Sequence, residues 1–194
     1  MCVALIVLGG FLLSRYLSAN NLLFYATGSS DKAFVNATWK MSPPEIERAN
    51  NAKLFPYDDP FVGLGDPAVM DRKRFTESRQ KDLFLWGYPA ELTYAFFDNM
   101  LYEYYINLTA YDLDKPFKDI LATLRAQFGE GKEPSDKRKD LIHSLEWNTD
   151  KQNVYCWMGK NDKDNSYYVG VRATYKPVKQ QIDDIAKSEK KKYF

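Results

Sequence analysis

LWGYPAELTYAFFDNMLYEYYINL, residues 85–108, is the stretch whose reading decides the fold. Asp98-Asn99 interrupts two runs rich in aromatic and β-branched residues. Asp and Asn tolerate the positive φ that a tight hairpin turn demands. AELTYAFF and MLYEYYINLTAY therefore read as two strands joined by a two-residue turn. That register sets Phe97 against Met100, Ala95 against Tyr102 and Thr93 against Tyr104. The opposite face then carries Phe96, Leu101, Tyr94, Glu103, Leu92 and Tyr105. Both faces are apolar, where a strand pair with one wet face would alternate cleanly. The hairpin belongs inside a sheet, covered by helix on one side and partly covered on the other.

Most of these rings read as core, because buried aromatics dominate protein interiors. Tyr nevertheless keeps a polar tip, so Tyr rings around Glu103 also suit a docking or sugar-stacking surface. The candidate binding residues are accordingly Trp86, Tyr94, Tyr102, Glu103 and Tyr104.

Outward from the hairpin, RFTESRQ and DLFLWGY precede it as strands. Further upstream, Ser42, Pro43 and Glu45 form a helix start: a cap, a proline at the first helical position and an S-x-x-E box. A short helix is predicted over 43–53. The proline- and glycine-rich segment LFPYDDPFVGLGDPAVMDRKRF excludes a long regular element and reads as a loop. Its Asp58, Asp59 and Asp66 lack ordered metal-ligand spacing.

Downstream, DKPFKDILATLRAQFGEG (114–131) is the clearest helix. Phe117, Ile120, Leu121, Leu124 and Phe128 recur at helical spacing, Asp114 can cap it, and Gly129 stops it. LIHSLEWNTD, QNVYCWMG and SYYVGVRATY follow as three strands with polar turns. KNDKDN between the last two lacks the calcium-loop pattern. The element order gives an α+β fold of two tandem α-βββ units, 42–109 and 115–176, within an α+β domain spanning 36–176. They form one antiparallel sheet with the helices packed on one face. Residues 177–194 read as a charged C-terminal helix or tail.

An N-terminal apolar leader precedes the domain. CVALIVLGGFLL has about the length of a signal-peptide core, and YLSANNLLFYA resumes it beyond Arg15. Residues 1–28 are a signal or a membrane anchor, and 29–35 a polar linker. Cys2 invites a lipoprotein reading, but with Met1 alone before it, it reads more simply as a small apolar residue. Asn36 and Asn107 head N-x-T triplets, which occur often by chance.

The totals remove several function classes. Lys plus Arg is 27 and Asp plus Glu is 26, so the +1 chain has no field to recruit nucleic acid. Cys2 and Cys156 match no metal spacing and make no disulfide framework. Neither a phosphate loop, a dinucleotide fingerprint, a zinc-protease motif nor a nucleophile elbow is present. His143 stands alone, and Ser144 beside it points to the opposite face of the strand. Glu103 and Glu146 would make an acid–base pair if the fold brought them together. Catalytic residues, metal ligands and cofactors are therefore expected to be absent.

W-x-M-S-x-x-E-I at Trp39–Ile46, with a helix ending in FGE at Phe128–Glu130 before LEWNTD, resembles bacterial envelope domains of the β-lactamase-inhibitor-protein-like fold. That group includes the small outer-membrane lipoprotein A (SmpA/OmlA) family. The resemblance covers roughly residues 36–176. It implies tandem α-β units whose sheet presents a concave aromatic surface to another protein, without catalytic residues. NNAKLFP replaces the usual L-G-x-P after the first helix, and the proline-rich loop is extra. The expectation is a non-enzymatic, membrane-tethered protein-binding or scaffold module. It would lie in the periplasm or another extracytoplasmic space, with an envelope protein as partner and the membrane reached through the N-terminal segment. The alternative is a small-ligand or glycan binder using an aromatic sheet face, with a hydrolase based on Glu103, His143 or Glu146 third.

Overall fold

A computed structural model describes residues 36–57, 74–85, 88–110, 114–134, 141–161 and 165–190. The apolar leader, most of the proline-rich loop and Trp86 lie outside the described residues. Among the described residues the chain is α+β, an open seven-stranded antiparallel sheet with three helices. In chain order these are α1 (Pro43–Asn50), β1 (Phe55–Pro56), β2 (Phe75–Leu85), β3 (Tyr88–Phe97), β4 (Met100–Ala110), α2 (Asp114–Phe128), β5 (Leu141–Asn148), β6 (Gln152–Lys160), β7 (Tyr167–Tyr175) and α3 (Lys176–Lys190). The strand order across the sheet is β1-β2-β3-β4-β7-β6-β5. The last strand among the described residues, β7, thus stands near the centre of the sheet.

The hairpin forms where its turn chemistry places it. Asp98 and Asn99 have φ of 49° and 62°, and Phe97 faces Met100. Arg74 ties the turn down: its carbonyl accepts from the Asp98 N–H at 2.8 Å, and its guanidinium donates to the Asp98 carboxylate. Beyond Phe96, which faces Leu101 as that register requires, the expected register is wrong by one residue. A bulge sets Phe96 against Leu101 but Ala95 against Glu103 and Thr93 against Tyr105. An extra residue on one strand brings its neighbours to a common side. Glu103 and Tyr105 consequently leave the face of Tyr94, and Tyr104 joins it.

One face of the sheet carries Leu92, Tyr94, Phe96, Tyr104, Ile106, Val154, Cys156, Val169, Val171 and Ala173, all buried. Both expected helices lie on it. Asn50 at the end of α1 donates to the Tyr94 hydroxyl at 2.9 Å, and Phe117 of α2 stacks on His143 of β5 with ring centroids 5.8 Å apart. Glu45 caps α1 as its spacing implies, accepting from the Ser42 N–H and hydroxyl at 2.7 Å each. The helix stops at Asn50, three residues early, because Asn51 adopts the left-handed conformation (φ 47°). Gly129, at φ 79°, ends α2 as expected.

The third helix departs from the expectation of helices on one face. α3 starts directly at the end of β7 and crosses the opposite face, where Lys179 shares a cleft with Glu103, Arg172 and Thr174. What read as a charged helix or tail is a helix, and it buries Val178 and Ile182, with Ile185 packed beside them. Those residues recur at helical spacing, so charge hides an apolar stripe. On this face of β3 and β4, Thr93, Ala95, Phe97, Tyr102, Glu103 and Tyr105 are buried.

Candidate functional site

The two halves of this second face differ. Over β3 and β4 it is covered. Over β5 and β6 it alternates: in β6, Gln152, Val154, Cys156 and Met158 are buried on the helix-covered side, while Asn153 is exposed and Tyr155 and Trp157 are half-buried. Glu146 and Asn148 of β5 are exposed on the same side. This is the pattern of a sheet with one face toward solvent.

On this open half the rings of Tyr155 and Trp157 stack, with centroids 5.2 Å apart. Trp157 lies across Gly170 of β7, and Tyr168 of β7 lies across Gly159 of β6. A Cβ on either glycine would fall inside the facing ring. Glycine in a strand interior loses packing, and a close approach of this kind is what compensates for it. The result is an aromatic platform built by cross-strand pairs, with exposed Asn107 opposite Gly170 at its margin.

Beside the platform is a cleft of about 440 Å³, into which Tyr155 also faces. Glu103, Glu146, Asn148, Asn153, Arg172 and Lys179 contribute its polar groups, with Thr174 beside them. Glu103 is 6 % exposed. Tyr105 and Thr174 both donate their hydroxyls to its carboxylate, on Oε1 and Oε2 respectively. Burial raises its pKa, against the opposing pull of those hydroxyls and of Arg172 and Lys179. Lys179 is itself paired with Asp183. Donors and acceptors are thus interspersed, with neither sign of charge dominant.

Because the folded chain binds the Glu103 proton more tightly than the unfolded chain does, this group favours folding at low pH. The contribution is lost as pH rises from the ordinary glutamate range through the raised value. Glu103→Gln is expected to flatten the dependence of stability on pH across that window, measured by urea unfolding at a series of pH values. An unchanged slope would show that the carboxyl is not the titrating group.

The residues expected at the site fare differently. Tyr94 (0 % exposed), Tyr102 (2 %) and Tyr104 (6 %) are core, not partner-facing. Tyr94 lies under the end of α1, Tyr104 lies on the same face under the Trp39 ring, and Tyr102 lies among the buried side chains on the α3 face. Burial raises the phenol pKa of all three, keeping them neutral. Trp86 lies outside the described residues. Glu103 does line a cleft, together with Glu146, so the fold brings that carboxylate pair into one place. His143 lies on the other face and Ser144 on this one, as strand alternation requires. Among the described residues no cluster suits a metal ion, and Cys156 is buried with its thiol pKa pushed up by burial. Tyr155, Trp157 and Tyr168 were missed. Their signal is an aromatic residue facing a glycine across a strand pair, visible only once β6 and β7 are in register.

No protein-family model matches the chain, and neither does any curated protein or solved structure.

Proposed function

We propose that this chain is a non-enzymatic binding module, held at a membrane by residues 1–28 with its domain on the extracytoplasmic side. Its ligand is a neutral oligosaccharide laid on Tyr155 and Trp157. The observation that carries this reading is the platform with its adjoining mixed-polarity cleft. Sugar rings offer flat C–H faces to aromatic rings and a rim of hydroxyls that both donate and accept. Arg172 and Lys179 supply donors, Glu103 and Glu146 acceptors, and Asn148 and Asn153 both. A strongly acidic or basic ligand would meet a charge of its own sign in the same cleft.

The apolar composition of the leader supports the tether; no helix among the described residues is long and apolar enough to cross a membrane. The sheet order supports the tandem reading, since β4 and β7, the third long strand of each α-βββ unit, pair antiparallel. Such a junction is what two copies related by a local two-fold axis would make, and it is compatible with the envelope-domain resemblance. Docking of a protein on Tyr94, Tyr102 and Tyr104 is not carried forward, because those rings are inside.

The test is calorimetric titration of the full chain in detergent with cellohexaose, chitohexaose, maltohexaose and an acidic polyuronate. At least one neutral hexaose is expected to bind, and Trp157→Ala to weaken it about tenfold or more with little change in melting temperature. Binding of the polyuronate alone, binding of none, or a Trp157→Ala variant that binds normally would overturn the proposal. Hydrolysis of a bound hexaose, abolished in Glu103→Gln, would replace the binder with a glycosidase.

A further inference from the structure

Trp157, Gly170, Asn107 and Glu91 stand in one row across the sheet. Trp157 pairs with Gly170, Gly170 with Asn107 and Asn107 with Glu91, on β6, β7, β4 and β3 in turn. Cross-strand partners share a face. Trp157, Asn107 and Glu91 therefore rise on the platform side, with Gly170 as the gap between them. The indole leans along the row, from its own strand onto Gly170 of the next. Burial on β3 and β4 ends just short of the row. Thr93 and Tyr105 are buried, whereas beyond them Glu91 is half-buried and Asn107 and Thr109 are exposed.

The far end of the row is polar and braced. Glu91 accepts from the Arg79 guanidinium of β2 at 3.4 Å, and that guanidinium lies over the Tyr57 ring, 3.4 Å from its centroid. Arg79, gripped from two sides, holds Glu91 beside Asn107. The Asn107 carboxamide has no partner among the described residues, and it can both donate and accept. From β6 to β3 the row covers three strand spacings, about 14 Å. A protein segment or a second copy laid along it would bury the Arg79–Glu91 pair, and charged residues are depleted at the cores of protein interfaces. A chain of hydroxyls would instead hydrogen-bond those groups. Contacts in line also select a shape. A β-1,4 linkage keeps successive pyranose rings in line, whereas an α-1,4 linkage coils the chain away from the sheet.

We infer that the saccharide site is a track running across the strands, from Trp157 over Gly170 to Asn107 and Glu91, and that its ligand is an extended β-1,4-linked chain. The inference rests on the saccharide reading and deepens it, setting the direction, length and linkage of what binds. Trp157 supplies the stacking surface, and Asn107 and Glu91 are the residues that read the chain beyond it.

The experiment titrates the full chain in detergent, by calorimetry, with cellohexaose, chitohexaose, their trimers and maltohexaose. Wild type is compared with Asn107→Leu, Glu91→Ala and Trp157→Ala. At least one of the two β-1,4 hexaoses should bind at least about tenfold tighter than its trimer, the worth of one or two further hydrogen bonds. It should also bind tighter than maltohexaose. Asn107→Leu and Glu91→Ala should each bring the hexaose toward the affinity of the trimer while leaving the trimer unchanged, and Trp157→Ala should weaken both. Two variants on different strands keep the test decisive should one of them unfold. Hexaose binding that needs Trp157 but ignores both row variants, equal affinity for the trimer, or a preference for maltohexaose would overturn the inference and leave the saccharide reading standing. Binding of no saccharide would overturn both. A dimer seen by sedimentation and lost in Asn107→Leu would give the track to a second copy, and would overturn the inference as well.

Discussion

Trp39→Ala is expected to lower the unfolding free energy by about 3–5 kcal/mol, the cost of deleting a buried ring. Trp39 lies ahead of the first helix, outside every strand, yet its indole stacks on Tyr104 and Tyr175 with centroids 5.7 and 5.4 Å away. It therefore holds the N-terminal segment onto β4 and β7 together, and its removal opens a cavity where the two halves of the sheet meet. Backbone bonds just after it, from Lys40 N–H to the Leu101 carbonyl and from Leu101 N–H to the Met41 carbonyl, limit how far the segment can collapse to fill the gap. Trp39→Phe isolates the ring from its polar atom. The indole N–H is buried and meets no acceptor among the described residues, a burden of about 1–3 kcal/mol that phenylalanine lacks. The Phe variant should unfold close to wild type in urea while the Ala variant shifts far. Equal losses in both would show that the N–H has a partner and that ring size alone does not govern the site.

The second large effect is a coupling. Gly170→Val puts a branched side chain into the space of the Trp157 ring, and overpacking of this kind costs about 1–3 kcal/mol. Evicting the ring also dismantles the platform, so saccharide affinity should fall with stability. In a Trp157→Ala background the same substitution meets open space, and valine suits a central strand better than glycine does. The double variant should therefore be more stable than the sum of the two single changes implies, by 1 kcal/mol or more on the order typical of residues in contact. Additive losses would mean that the ring does not press on Gly170 in solution.

The hairpin was legible because two neighbouring residues, Asp98 and Asn99, carry the turn, and local chemistry suffices to recognise them. α2 and the last three strands were legible from periodicity and punctuation alone. The site was not, and the reason is register. One bulge at Tyr102 moved Glu103 and Tyr105 to the α3 face and brought Tyr104 to the face of Tyr94. A period-two pattern cannot reveal where it slips by one residue. α3 was obscured differently: its Lys and Asp residues masked Val178, Ile182 and Ile185, although their spacing was available to be read. Phe128, which the sequence places among the core residues of α2, is only partly buried. Truncating it should therefore cost less than truncating Trp39.

The place of β7 also bears on how the protein is made. Translation delivers β4 and β6 first, and each waits with an open edge for a strand that leaves the ribosome after both. Pairing β4 with β7 joins residues such as Glu103 and Thr174, far apart in sequence, and non-local pairing of this kind is slow. α3 follows without an intervening loop, so the closing strand brings its own cover. Nascent chains that stop short of residue 167 would hold two unfinished half-sheets, and they are the forms most in need of a chaperone.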